Sequence, residues 1–429
     1  MSNNLKIKLL EQSNKYLKYI IVGFLVLVLA TISIPEVISQ KNSCHTDQLQ
    51  FYLSSKAIES NINPYNKISF LNSQFKNDCK LGTHDYATPY SPGVLAAIYL
   101  LYKNYTFIEG RYFWAIGQLI SIFIFLITAT TNMSTRKEFI SGFALIIILL
   151  FSDPIIFELK FANVSIYIAL LSLLLLSSIN KKNELVSGIL LGLLLSIKLF
   201  SLPLLICFAS LKKFKLLLVS TIVLFCSFLL PFIILGFDQS ISLFLEWNPF
   251  LTAKTVIDSP YNISLFSIPY RLFGPDQSAQ TSYYMYKPFF PNKILFNSAQ
   301  GIIYLFYFAT LFQIIRSKTI ITKVELSLFI SLLFNLICWH HYIIILFPII
   351  WKLKNSIIHY RKPSTAILYI LSIFMITLFY SAQLYVESST AINHSLTVLP
   401  LLGMICLYVI YNKLESEKFI NDNIANNDQ

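Results

Sequence analysis

A few polar residues stand apart in an otherwise greasy chain: Asp47, Tyr86, Tyr90, Asn163, Lys198, Asn262, Arg271, His340 and His341. A carboxylate partly shielded by aromatic neighbours, as Asp47 is by Phe51 and Tyr52, acquires a raised pKa and can take a proton from an attacking hydroxyl. Lysine meets a phosphate as a point charge and arginine as a two-pronged fork, so Lys198 and Arg271 suit a phosphate or diphosphate leaving group. His340 and His341, at a break between two apolar runs, add donors for the same phosphate or for the acceptor sugar.

Each residue also has a plainer reading. Asp47 at a helix start complements the helix dipole, and Asp78 and Asp85 compete for the role of base. Lys198 as a snorkelling side chain, Arg271 as a solvated loop charge, and the two histidines as interface rings beside Trp339 and Tyr342 are the corresponding alternatives. A metal site is disfavoured, because adjacent histidines do not share a helix face and no HExxH or paired-carboxylate spacing occurs. No GxSxG, GxxxxGK[ST] or GxGxxG motif is present, which argues against ATP hydrolysis and nicotinamide chemistry.

The elements that must position these groups are membrane helices. Of 429 residues, 55% are hydrophobic and 13% charged, with mean hydropathy +0.64, whereas soluble domains average about 25% charged. A span needs about 20 apolar residues, and backbone amides in lipid must be satisfied within their own segment. The expectation is an all-α, polytopic protein with roughly 11–13 membrane helices, some short or re-entrant. The net charge of +12 comes from Lys and Arg at the ends of apolar runs, the mark of cytoplasmic anchoring, not of nucleic-acid binding. Among the scattered cysteines, Cys44 and Cys79 share one polar region, as a disulfide or as two free thiols.

Lys6, Lys8, Lys15 and Lys18 put the amino terminus in the cytoplasm before an uncleaved first helix. Residues 39–92 then form a large extracytoplasmic loop. In it an interfacial helix starts at Asp47 and ends before Asn63-Pro64-Tyr65, and the prolines of Tyr86 to Pro92 forbid regular helix until about Gly93. Cytoplasmic turns at Arg136-Lys137, Lys181-Lys182, Lys212 to Lys215, Arg316 to Lys323 and Lys352 to Lys362 make residues 185–210 a hairpin with Lys198 at its outer tip. They also put residues 236–293 in a second outer loop and Trp339-His340-His341-Tyr342 on the same side. This leaves one span too many: either residues 94–102 are re-entrant, or the positive-inside rule fails at one loop. Tyr283 to Tyr286 reads as an aromatic belt or an acceptor contact. Residues 1–412 form one domain, and the polar tail 413–429 is expected to be disordered or solvated in the cytoplasm.

Several short motifs recur in a recognisable order. Asp47 precedes an aromatic-rich helix and Asn63-Pro64-Tyr65; then come Tyr90-Ser91-Pro92, Ala162-Asn163-Val164-Ser165, and Ser187-Gly188-Ile189-Leu190-Leu191-Gly192 running to Ile197-Lys198 and Pro203. Asn262-Ile263-Ser264-Leu265 and Trp339-His340-His341-Tyr342 complete the series. Over about residues 20 to 350 this order resembles glycosyltransferase family 87, integral-membrane enzymes of the GT-C class that include polyprenyl-phosphate-mannose-dependent mannosyltransferases. Ser91 replaces the family's first proline, and Ala162-Asn163 departs from its Gly-Gln pair.

The resemblance implies that Asp47 is the catalytic base of an inverting transfer, and it favours His341 over His340. It implies a hexosyl or pentosyl donor on polyprenyl phosphate, mannose favoured, and a glycolipid or cell-envelope glycan acceptor. The place is the extracytoplasmic face of a bacterial plasma membrane, with no cofactor or metal and with membrane lipids, not nucleic acid, as surroundings. Tyr86, Tyr90, Asn163 and Asn262 would line the substrate pocket. A lipid or glycan transporter is the rival from another class, although internal repeats and midplane polar residues are its expected marks. A glycan polymerase or ligase using a diphosphate-linked donor is the rival enzyme.

Overall fold

The computed structural model describes residues 19–31, 47–65, 88, 90–130, 136–198, 201–247, 262–274, 290–317, 319–335, 338, 340–360, 363–377 and 390–427. The chain is all-α, with no strand among the described residues. Its helices are α1 (Tyr19–Thr31), α2 (Asp47–Glu59), α3 (Pro92–Tyr102), α4 (Phe107–Thr130), α5 (Arg136–Leu150), α6 (Asp153–Phe161), α7 (Ser165–Asn180), α8 (Glu184–Ile197) and α9 (Leu202–Ser210). They continue as α10 (Phe214–Leu235), α11 (Phe237–Glu246), α12 (Ser267–Phe273), α13 (Lys293–Arg316), α14 (Ile320–Leu333), a 3-10 helix (His340–Leu346), α15 (Phe347–Tyr360), α16 (Pro363–Thr377) and α17 (Thr390–Asn427).

Among the described residues four helices are long and apolar enough to cross a membrane: α4, α10, α13 and the Val398–Glu417 part of α17. The pair α5–α6, bent by 44°, makes up to five, and α1, α3, α7, α8 and α16 are shorter apolar helices. The expected dozen spans therefore resolve into a few full-length helices around several that stop short. On α10 the outward row Phe214, Leu218, Ile222, Phe225, Leu229 and Ile233 is exposed. Such a row at helical spacing suits hydrocarbon, not water.

The lysine-rich turns gather at one end. Lys213 pairs with Glu184 at 2.6 Å, bringing the start of α8 beside the start of α10. Lys323 Nζ donates to Ser210 Oγ at 2.9 Å, and Lys352 pairs with Glu325 at 2.6 Å and with Glu415 at 3.2 Å. Residues 185–210 thus fold as the expected hairpin. The chain leaves helix at Lys198 and restarts with Pro203 in the first turn of α9, where its missing N–H costs no hydrogen bond.

Glycines seat α8 on α10. A Cβ on Gly188 would stand 2.7 Å from Val219 Cβ and 2.8 Å from Leu216 O, and one on Gly192 would stand 2.6 Å from Val223 Cβ and 2.8 Å from Ser220 O. Two small residues four apart let helix backbones approach where lipid supplies no hydrophobic drive.

The ambiguity over residues 94–102 has a geometric answer. At one end of α3, Ser91 Oγ donates to Ser196 O and Gly93 lies against the Ser227 carbonyl; at the other, Tyr102 packs on Gly110 in the first turn of α4. The last turn of α8 and the first turn of α4 both lie opposite the lysine-rich turns, so α3 enters and leaves on one side.

Two expectations are corrected. The helix α2 begins and ends where expected, but it is not interfacial. Gln48, Leu49, Phe51, Leu53, Ser54, Ser55, Ala57 and Ile58 are all buried, because apolar residues on both of its faces meet α3 and the start of α4. The tail beyond Lys413 is not wholly solvated either: α17 runs unbroken to Asn427, and it buries Leu414 and brings Glu415 to Lys352.

Candidate active site

At the end opposite the lysine-rich turns, several helices stop short. The 14 residues of α8 reach about 21 Å at 1.5 Å per residue, less than the ~30 Å hydrocarbon core. Lys198 therefore caps α8 at a break below the full thickness of the bundle, in extended backbone with φ −157° and ψ 124°. Its ammonium donates to the Tyr342 hydroxyl and stands 3.8 Å from the centroid of that ring. His341 meets the same ring edge-on, with centroids 4.7 Å apart. His341 is buried, and its Nε2 has no hydrogen-bond partner among the described residues.

What holds Tyr342 there is a second pair of non-helical segments. Asn262 Oδ1 accepts from the Cys338 amide at 2.9 Å, and the Ile263 amide donates to Cys338 O at 2.7 Å and Leu265 to Leu333 O at 2.8 Å. Each segment satisfies backbone groups that the other leaves open, the condition for irregular chain within a membrane protein. Asn262 Oδ1 also lies 3.2 Å from the Ser264 amide, closing a local turn.

The other expected residues occupy different places. Arg271 is buried and donates to Asn262 O and Ser267 Oγ; its contacts brace the 262–267 turn. His340 Nε2 bonds Ile376 O at 2.8 Å, so it anchors α16 while its neighbour His341 faces Tyr342. Asn163 is buried, its Oδ1 accepting from the Val164 amide at 2.6 Å and its carbonyl receiving Trp114 Nε1 at 3.2 Å and Gln118 Nε2 at 2.9 Å; these bonds fix the start of α7. Tyr90 packs on Phe51 at 4.9 Å, and its carbonyl accepts from Tyr65 Oη at 2.6 Å. Burial raises the Tyr65 phenol above its usual range, keeping it a neutral donor. Asp47 is the first residue of α2, but its side chain lies outside the described residues, as do Tyr86, Trp339, Cys44, Cys79, Asp78, Asp85 and Tyr283 to Tyr286.

Sequence reading missed a buried polar group near the start of α2. Glu158 Oε1 accepts from the Ile166 amide at 3.0 Å and lies 3.4 Å from Gln118 Nε2, and Arg111 donates to Lys160 O at 3.3 Å. Gln48, next to Asp47, reaches Phe107 O at 3.4 Å, and Trp114 lies 5.0 Å from Phe51. The available signal was that Arg111, Gln118 and Glu158 are polar residues within or beside apolar runs, where each needs a reason.

Fold and site together define a polytopic α-helical membrane protein in which Lys198, Tyr342 and His341 meet at the end opposite the lysine-rich turns. The sequence model of glycosyltransferase family 87 matches residues 88–337, more than half of the chain. The protein belongs to that family and is a membrane glycosyltransferase. No curated protein and no solved structure matches. The matched stretch is narrower than the run of motifs first suggested. It holds Tyr90-Ser91-Pro92, Asn163, the Gly188–Lys198 motif and Asn262, while Asp47, Asn63-Pro64-Tyr65 and Trp339 to Tyr342 flank it.

Proposed function

We propose that this protein transfers a hexosyl or pentosyl residue, mannose favoured, from a polyprenyl-phosphate sugar to a glycolipid or cell-envelope glycan on the extracytoplasmic face of the plasma membrane. The observation that carries the reading is the meeting of Lys198 and His341 on Tyr342 at a helix break, inside a chain of this family. A half-buried ammonium there would stabilise the negative charge that grows on a departing phosphate.

The roles follow from the chemistry. Asp47 takes the proton of the acceptor hydroxyl, whose oxygen forms a bond to the anomeric carbon. The bond from that carbon to the phosphate oxygen breaks, its electron pair leaving with the phosphate beside Lys198. Attack opposite the leaving group inverts the anomeric centre. Tyr90 and Tyr86 would line the sugar pocket, whereas Arg271, Asn262 and Asn163 act by holding the backbone that presents it.

The test is sugar transfer in purified protein or membranes with a set of polyprenyl-phosphate sugars, wild type beside Asp47→Asn. Loss of a general base lowers the rate about 10²–10⁴-fold. Undiminished transfer by the variant removes Asp47 from the mechanism, and movement of unmodified lipid without a glycosidic product favours transport.

A further inference from the structure

A recess lies where the end of α2 meets the elbow between α10 and α11. It is a half-open hollow of about 400 Å³ lined by Asn61, Asn63, Phe237, Asp238, Gln239 and Ser242 among others. Its walls are tied together. Asn63 Nδ2 lies 2.9 Å from both the Ser242 carbonyl and Oγ, and Gln239 Nε2 donates to Ile58 O at 2.8 Å. The elbow is sharp because Gly236 takes φ +83°, open to glycine and strained for other residues. Asn61, at φ 55°, ends α2 in the left-handed region that asparagine tolerates.

The lining narrows what fits. Volumes of about 300–1,000 Å³ with a few convergent polar groups are typical of small-molecule sites. Among the described residues the lining holds one carboxylate and no Lys, Arg or His, which disfavours phosphate and carboxylate ligands. A single carboxylate is also thin for a calcium ion, which takes about 6–8 oxygen ligands. Carboxylate and amide groups, which accept from and donate to hydroxyls, beside the exposed ring of Phe237, match a neutral polyol with one apolar face, which is a sugar ring.

The position gives the ligand a length. The 13 residues of α2 separate Asp47 from this recess by about 20 Å at 1.5 Å per residue. Asn63-Pro64-Tyr65 links the recess towards Lys198, since Tyr65 Oη donates to Tyr90 O and Ser91 Oγ to Ser196 O, two residues before Lys198.

We infer that the recess between Asn61 and Asp238 is a neutral-glycan subsite that holds the distal sugars of an oligosaccharide acceptor while its reacting end lies at Asp47. The inference rests on the glycosyltransferase reading above and adds that the acceptor is several sugars long. The test uses purified full-length protein in nanodiscs and fluorescently labelled neutral gluco- and manno-oligosaccharides of one to five units, read by anisotropy. Saturable binding that strengthens with length is expected, weakened at least tenfold by Asp238→Ala and by Asn61→Gly, which keeps the left-handed backbone. Binding absent from the whole panel, or equal in wild type and both recess variants, overturns the subsite. Donor turnover is measured separately on the same preparations. Failure to consume any polyprenyl-phosphate sugar counts against the proposed donor, whereas the binding result alone decides the subsite.

Discussion

Lys198 and Tyr342 stand 144 positions apart in sequence, yet the lysine ammonium donates to the tyrosine hydroxyl and lies 3.8 Å from the ring centroid. Two helix breaks create the meeting. One ends α8 before Pro203; the other interrupts the chain between α14 and α15, where residues 262–265 pair with it. Replacing Lys198 by Ala removes the charge proposed to face the donor phosphate, and the rate of sugar transfer is expected to fall at least a hundredfold, comparable to losing a donor aimed at developing charge. Tyr342→Phe keeps the ring and is expected to cost less than tenfold. Steady-state transfer assays on the two variants check the order, and equal losses would show that the hydroxyl, not the charge, matters.

Arg271 braces the turn it sits on, through Asn262 O and Ser267 Oγ. Arg271→Ala removes two charge-assisted hydrogen bonds, while Asn262 O keeps the Ser267 hydroxyl as donor, and a hydrogen bond to a charged group contributes about 1.5–3 kcal/mol. A lowered melting temperature in detergent is expected, with little change in donor KM for the fraction that stays folded. A large KM increase at unchanged stability would instead put Arg271 on the phosphate.

Gly188 and Gly192 are contact points between α8 and α10. Valine at either position meets Val219 or Val223 and a backbone carbonyl at under 3 Å from its Cβ, so the helices must separate. Overpacking of this kind costs about 1–3 kcal/mol, and because α8 carries Lys198, activity should fall with stability. Thermal unfolding and transfer rate measured together check the coupling.

Lys352 links α15 to Glu325 on α14 and Glu415 on α17, and the Glu325 side chain is only 3% exposed. Tyr411 Oη also donates to Glu325 at 2.6 Å. Lys352→Met strands the carboxylate, and breaking a buried pair from one side costs about 3–5 kcal/mol, at the low end here because Lys352 is one-third exposed. Adding Glu325→Leu removes the stranded charge and is expected to recover part of the loss. Melting temperatures of the single and double variants test this.

Much of the fold was legible because lipid imposes a simple rule. Apolar runs must be helices, and lysines mark the ends that stay on one side, so the hairpin of 185–210 and the placing of Lys198 opposite its neighbours' lysines followed from charge positions alone. The burial of α2 did not follow. Its Gln, Ser and Lys residues gave it the look of a surface helix, and only the docking of α3 and α4 on opposite sides of it buries Gln48, Ser54 and Ser55.

The types of chemistry were set by the residues themselves: a carboxylate at the head of a helix, a lysine at a helix break and a histidine beside a tyrosine can be read in order along the chain. Which of them meet was decided only in three dimensions. Asn262 pairs with Cys338, Arg271 turns to its own loop, His340 goes to Ile376 while His341 stays with Tyr342. The reason is physical. Where chain within the bundle leaves helix, its open backbone groups must find partners, and those partners come from segments far away in sequence, so local pattern names the candidates and long-range pairing selects among them.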